Sequence, residues 1–321
     1  MKTTDNQLVV AVSSRALFDL EDEHQIFESM GIAAYRKYQI DNRDKPLQPG
    51  VAFPFVTRLL RINRLFPAEE PFRVVVLSRN SPETGQRFFA SCRYYELPIK
   101  AGAFTSGQST FPYIEAFDAS LFLSANKENV IRAIQKHHPA GLVLPVGPNQ
   151  LSSEEDDDGE LRIAFDFDGV IIDDEAEREF QKDGLAGFER HETDMKETPH
   201  APGPLSKLFR KLAQFQALDA KRGENDPYYK PALRVSIVTA RGAPSEERLI
   251  TTLKALGMSA AELFLMDGLQ KSRVLNIMRP HIFFDDQLSH LESTATTIPS
   301  VLVPFGINNL AQLEAAPPET P

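Results

Sequence analysis

The sequence predicts an α/β protein built from two parallel-sheet halves. Short β-branched runs alternate with longer helical patterns along the whole chain, the layout of parallel strands covered by helices on both faces. Several of the strand-like runs end in a polar cluster. Beyond residue 160 the same series of elements starts again, which is the signature of a repeat. The halves are expected at 1–150 and 161–321, joined by an acidic linker at 151–160.

In the first half, Leu8–Val12 reads as a buried strand that ends in Ser13-Ser14-Arg15. Pro49-Gly50 opens a helical segment in which Phe53, Val56, Leu59, Leu60 and Asn63 recur at helical spacing. Residues 74–77 form a second strand, ending in Ser78-Arg79-Asn80, and a helix follows over 82–95. A polar, glycine-containing turn covers 104–110, and 119–123 and 142–144 are further strands. The linker is polar and strongly acidic; such a run is solvated and receives no catalytic role.

The second half opens on Leu161-Arg162-Ile163-Ala164-Phe165-Asp166-Phe167-Asp168-Gly169-Val170. Alternation along an extended strand would put Asp166 and Asp168 on one side, at the strand end where open α/β sheets bind ligands. The segment 171–201 is rich in charge and carries no clear order signal. Pro202-Gly203-Pro204 starts a helix with Leu205, Leu208, Phe209 and Leu212 on one face. A strand at 235–238 delivers Thr239. Leu249, Ile250, Leu253 and Leu256 mark the next helix, stopped by Gly257. A strand at 262–266 precedes Asp267-Gly268 and Lys271, and 281–284 delivers Asp285-Asp286.

Two offsets relate the halves. At 153 residues, Ser13 falls on Asp166 and Pro49-Gly50 on Pro202-Gly203; at 161, residues 73–87 lie on 234–248 without a gap, and Leu121-Phe122-Leu123 on Ile282-Phe283-Phe284. Duplication of one Rossmann-like half explains this better than two unrelated domains. In the first copy the positions facing Asp166, Asp168, Lys271, Asp285 and Asp286 are Ser13, Arg15, Thr110, Ser124 and Ala125. The first half has the scaffold without the carboxylates, so no metal-dependent phosphoryl chemistry is expected there.

Paired carboxylates repel unless a cation or a shared proton lies between them. The chemistry that needs them is a hard Mg²⁺ ion beside phosphate oxygens, with one Asp attacking phosphorus and the other moving protons. Thr239 could donate to a phosphate oxygen, and Lys271 could neutralise the aspartates and the transferring group. A formal net charge of −10 without a long Lys/Arg patch argues against nucleic acid or an anionic membrane as partner. Cys92 is the one cysteine, which excludes an intramolecular disulfide and fits a reducing compartment. The apolar run after the polar N-terminus is too short for a signal or membrane segment, so a cytoplasmic protein is expected.

In this order, Asp166-Phe167-Asp168-Gly169-Val170, Thr239, Lys271 and Asp285-Asp286 resemble the four motifs of the haloacid-dehalogenase-like phosphohydrolases. The resemblance implies an aspartyl-phosphate on Asp166, acid then base action by Asp168, and phosphoryl binding by Thr239 and Lys271. It also implies Mg²⁺ held by Asp166, the carbonyl of Asp168, and Asp285 or Asp286. Ser13-Ser14-Arg15-Ala16-Leu17-Phe18-Asp19, Leu77-Ser78-Arg79-Asn80-Ser81-Pro82 and Leu121-Phe122-Leu123-Ser124 further resemble the type I cytosolic 5′-nucleotidases, over nearly the whole chain. That implies Mg²⁺-dependent hydrolysis of nucleoside 5′-monophosphates, with AMP, IMP or deoxynucleotides the class. The residues alone reach a phosphate monoester. They leave open another phosphorylated metabolite, transfer to an acceptor other than water, or a non-catalytic nucleotide sensor. Ser13, Arg15, Ser78, Arg79 and Asn80 are expected to cluster at the first half's strand ends, for substrate or a nucleotide effector.

Overall fold

The computed structural model describes residues 7–145, 158–224 and 226–314. Ten strands form one sheet: β1 (Leu8–Val12), β2 (Phe72–Ser78), β3 (Ala101–Phe104), β4 (Leu121–Ser124), β5 (Ala140–Val143), β6 (Leu161–Phe165), β7 (Leu233–Thr239), β8 (Glu262–Leu265), β9 (Ile282–Asp285) and β10 (Ser300–Leu302). Their order is β8-β7-β6-β9-β10-β5-β4-β1-β2-β3. The main helices are α1 (Glu21–Asp41), α2 (Phe53–Ile62), α3 (Pro82–Tyr94), α4 (Tyr113–Ala116), α5 (Lys127–Gln135), α6 (Glu175–Asp194), α7 (Ser206–Gly223), α8 (Glu246–Ala255), α9 (Ser272–Met278) and α10 (Leu288–Glu292).

Within each half every strand pair of this sheet is parallel, and the register repeats. Val10 faces Val74 and Leu121, as Ile163 faces Val235 and Ile282. Val75 faces Ala101, as Ser236 faces Glu262. Between the halves β5 and β10 run antiparallel, with Val143 opposite Val301 and Leu142 opposite Leu302. The halves therefore share one sheet about an approximate two-fold axis. Reciprocal packing tightens the join: α2 lies against β6 and α7 against β1, with Phe215 meeting Phe66 and Phe72 at 5.3 and 4.7 Å between ring centroids. The all-buried β1 shows why its sequence is a continuous apolar run.

Most of the expected linker, 151–157, lies outside the described residues. At its described end Asp158 and Gly159 are exposed. Asp158 accepts from Arg58 at 2.8 Å and also pairs with Arg162, tying the two halves together. Against partial burial, those arginines hold its carboxyl down at about 2.

Residues 171–201, which carry no clear order signal in sequence, contain α6, twenty residues long. Its only buried residues are Ala176 and Glu192, so no apolar stripe exists to be read at 3.6-residue spacing. The counterpart α1 buries Glu23, Tyr35 and Gln39. Both helices bend at a glycine with positive φ, Gly31 at 79° and Gly184 at 65°, a backbone state that favours glycine. These glycines are again 153 residues apart. Among the described residues no helix is long and apolar enough to cross a membrane.

Candidate active site

Asp166, Asp168, Thr239, Lys271, Asp285 and Asp286 come together at the C-terminal ends of β6, β7 and β9 and the start of α9. Stacking of Phe165 on Phe284, with centroids 5.0 Å apart, fixes the adjacent strand ends. The strand β6 stops at Phe165, so a turn rather than strand alternation brings Asp168 round to Asp166. That turn is closed by Ile171 N donating to Phe167 O at 3.0 Å, and Gly169 adopts φ +66° within it.

Asp166 is 3% exposed. One carboxylate oxygen accepts from Phe167 N at 2.7 Å; the other lies 2.7 Å from Lys271 Nζ. Lys271 also donates to Asp285 at 2.7 Å. Burial pushes the Asp166 carboxyl up to about 7 even with Lys271 beside it, and Asp285 and Asp168 add to the rise. Asp285 is fully engaged, by Lys271, by Gln287 N at 2.8 Å and by His290 Nδ1 at 3.2 Å. Asp286 is different. Its Oδ1 is buried with no hydrogen-bond partner among the described residues, and burial with Asp166 and Asp285 nearby raises its pKa well above the ordinary value.

An oxygen-rich site of this kind fits a hard divalent cation. Ligand atoms of Asp166, Asp285 and His290 lie within 4.8 Å of one another, and the unpartnered Oδ1 of Asp286 faces a cost that a cation would remove. Thr239 accepts from Arg241 N at 3.2 Å, which leaves its hydroxyl proton available to donate.

Sequence reasoning missed the residues that close the site. Arg241 donates from Nε and Nη2 to the two oxygens of Asp168, both at 2.7 Å. Its guanidinium lies between Phe167 and Phe188, 5.1 and 5.2 Å from the ring centroids, and it also pairs with Glu192 of α6. Glu192 accepts from Arg248 Nη1 at 2.8 Å and from His200 Nε2 at 3.0 Å. Arg248 reaches Glu175 at 3.0 Å. Burial would raise the Glu192 carboxyl, but His200 and Arg241 hold it down at about 2. A buried ionic network thus docks α6 across the strand ends. The signal available in the sequence was the charge density of 171–201, which single-residue reasoning treats as surface.

The first half repeats this docking without the acids of the site. Arg87, the counterpart of Arg248, donates to Glu23 at 2.7 Å and Gln39 at 3.1 Å. Leu47 N donates to Ser91 Oγ at 2.9 Å where His200 N donates to Thr252 Oγ1 at 3.1 Å. Ser13, Arg15, Ser78, Arg79 and Asn80 all line one cavity at these strand ends.

Residues 1–310 match the family profile described as 5′-nucleotidase. Human cytosolic 5′-nucleotidase 1B is 33% identical over 293 residues, which cover 89% of this chain and 47% of that protein. The chain therefore spans about half the length of the curated relative it matches. No solved structure matches it.

Proposed function

The chain belongs to the type I cytosolic 5′-nucleotidase family, and from that membership we propose that it hydrolyses nucleoside 5′-monophosphates to nucleoside and phosphate, in the cytoplasm. The observation that carries the chemistry is the meeting of Asp166, Asp168, Thr239, Lys271 and Asp286 at one set of strand ends. We read the second half as a haloacid-dehalogenase-like catalytic core, and the repeated strand order and register as the product of duplication.

In this reading Asp166 attacks phosphorus in line and the bond to the 5′-oxygen breaks. Asp168 supplies that oxygen with a proton, then removes one from the water that attacks the aspartyl-phosphate. Both oxygens of Asp168 are held by Arg241 in the closed structure, so the fork must release at least one before proton transfer. Lys271 and Thr239 receive the phosphoryl oxygens. Mg²⁺ would be held by Asp166, the Asp168 carbonyl and Asp286, whose free oxygen suits it better than the engaged Asp285. When bound, the ion supplies charge neutralisation for the transferring phosphoryl group.

The test is phosphate release from a panel of nucleoside 5′- and 3′-monophosphates and sugar phosphates, with Mg²⁺ and with EDTA. Release confined to 5′-nucleotides and abolished by EDTA is expected. Release from sugar phosphates alone would retain the aspartate chemistry and discard the nucleotidase reading.

Gly169 offers a test of the Asp286 assignment. A Cβ there would lie 2.6 Å from Asp286 Oδ2, and φ is already +66°. Gly169→Ala is expected to cost about 1–2 kcal/mol of stability from the backbone state and to displace Asp286. The Mg²⁺ concentration for half-maximal activity should then rise about tenfold or more, the scale of a disturbed metal ligand set. An unchanged Mg²⁺ dependence would place Asp286 outside the ligand set.

A further inference from the structure

The cavity at the strand ends of the first half is about 360 Å³, within the range of small-molecule sites. It occupies the place that the carboxylate site holds in the second half. Under the two offsets Ser13 stands for Asp166, Arg15 for Asp168, Ser78 for Thr239, Asn80 for Arg241, Thr110 for Lys271 and Ser124 for Asp285, and all six line it. The exchange replaces three anions with two hydroxyls and a cation, and two cations with an amide and a hydroxyl.

Among the described residues no acid lines this cavity, whereas Arg15, Arg36, Arg79 and His24 do. In a chain of net charge −10 that is a local reversal of field. The Arg15 guanidinium pairs with Glu21 at 3.3 Å, outside the lining. Arg79 is anchored by Nε donating to Gly107 O at 3.0 Å. On the floor, Ser14 and Ser78 hydroxyls lie 3.0 Å apart and Asn80 Nδ2 donates to Ser14 at 3.3 Å. Thr110, 1% exposed, has its Oγ1 buried with no partner among the described residues. A buried hydroxyl left unmatched carries a desolvation cost that a ligand oxygen would relieve.

The opposite wall is apolar and belongs to α1. Phe27 and Ile32, 44% and 53% exposed, line it beside the buried Tyr35, whose ring is T-shaped to Phe27 at 6.1 Å. Arginines and hydroxyls at one end with aromatic rings at the other match a phosphate ester carrying a flat aromatic head.

We propose that this cavity is a second ligand site, which binds a nucleotide-type phosphate ester without hydrolysing it. The phosphate takes the hydroxyl floor and the arginines; the ring lies against Phe27 and Tyr35. Without carboxylates at the Ser13 and Ser124 positions the site lacks the aspartate nucleophile and the carboxylate pair that would hold a metal. It stands independently of the catalytic reading of the second half.

The experiment is equilibrium dialysis of the full chain with the non-hydrolysable 5′-methylenephosphonate analogue of AMP. Two molecules per chain are expected, and Arg15→Ala/Arg79→Ala should weaken one of them at least tenfold. Phe27→Ala, a change at an exposed side chain, should weaken the same site while leaving inorganic phosphate binding there unaltered. If the wild type binds one molecule and the double arginine variant abolishes it, the proposal stands and the catalytic site is the one that fails. One molecule bound equally by wild type and both variants would overturn it. So would two molecules that ignore all three substitutions, or inorganic phosphate binding as tightly as the analogue.

Discussion

Asp166→Asn is expected to abolish phosphate release, by a factor on the order of 10⁴ to 10⁶, the range for loss of an enzymic nucleophile. The amide keeps the shape and the hydrogen bond from Phe167 N but cannot form an acyl phosphate by the same route. Stability should move the other way. The Asp166 carboxyl is pushed up to about 7 by burial and by neighbouring acids. A folded pKa above the unfolded one means that ionisation opposes folding, so this cost grows as pH rises from the unfolded carboxylate range through about 7. At pH 8 and without divalent cation, the Asn variant should therefore melt no lower than wild type. Activity loss with an equal or higher melting temperature is the signature of a residue kept for chemistry at the expense of stability. Wild-type turnover in this variant would remove Asp166 as nucleophile.

Glu192→Ala should show the opposite balance. Glu192 is fully buried and touches Arg241, Arg248 and His200. Removing it takes one carboxylate from each of two buried guanidinium groups, leaving Arg241 on Asp168 and Arg248 on Glu175, a loss of up to about 3–5 kcal/mol, the scale for a broken buried ion pair. Urea denaturation of the two proteins measures the difference. The sign of its pH dependence follows from a carboxyl held at about 2 in the fold against an ordinary value near 4.5. The stabilisation is fully present above the unfolded value and is lost as pH falls through about 2. The wild-type advantage over Glu192→Ala should therefore be greatest at neutral pH and shrink below about pH 4. A difference under about 1 kcal/mol at pH 7 would mean that α6 is docked by something other than this network. Because the same glutamate steadies the arginine on Asp168, turnover should fall as well, without the complete loss expected at Asp166.

These two residues mark how unevenly the site could be read. Asp166 announced itself because an apolar strand, an Asp pair and a glycine occur together within ten residues. Glu192 sits in a run of charges with no periodicity, and its burial is decided by arginines 49 and 56 residues away in sequence. The contrast behind our proposal of Asp286 over Asp285 was equally out of reach. They are adjacent in sequence and alike in chemistry, and they part only because Lys271 and His290 engage one while the other's Oδ1 has no partner among the described residues.

The sequence by itself determined the α/β class and most of the strands along each half, and it marked the carboxylates at the strand ends of the second, because these rest on local apolar runs and on the residues that follow them. The repeated register was also present in it, as two offsets. Only the tertiary structure decided that the halves share one sheet through the antiparallel β5 and β10 pair. The same holds for the cavity facing Thr110 and for the two polar helices that close over the strand ends. The reason is physical: apolar burial leaves a pattern along the chain, whereas a buried ion network or a cavity is a property of groups that meet only after folding.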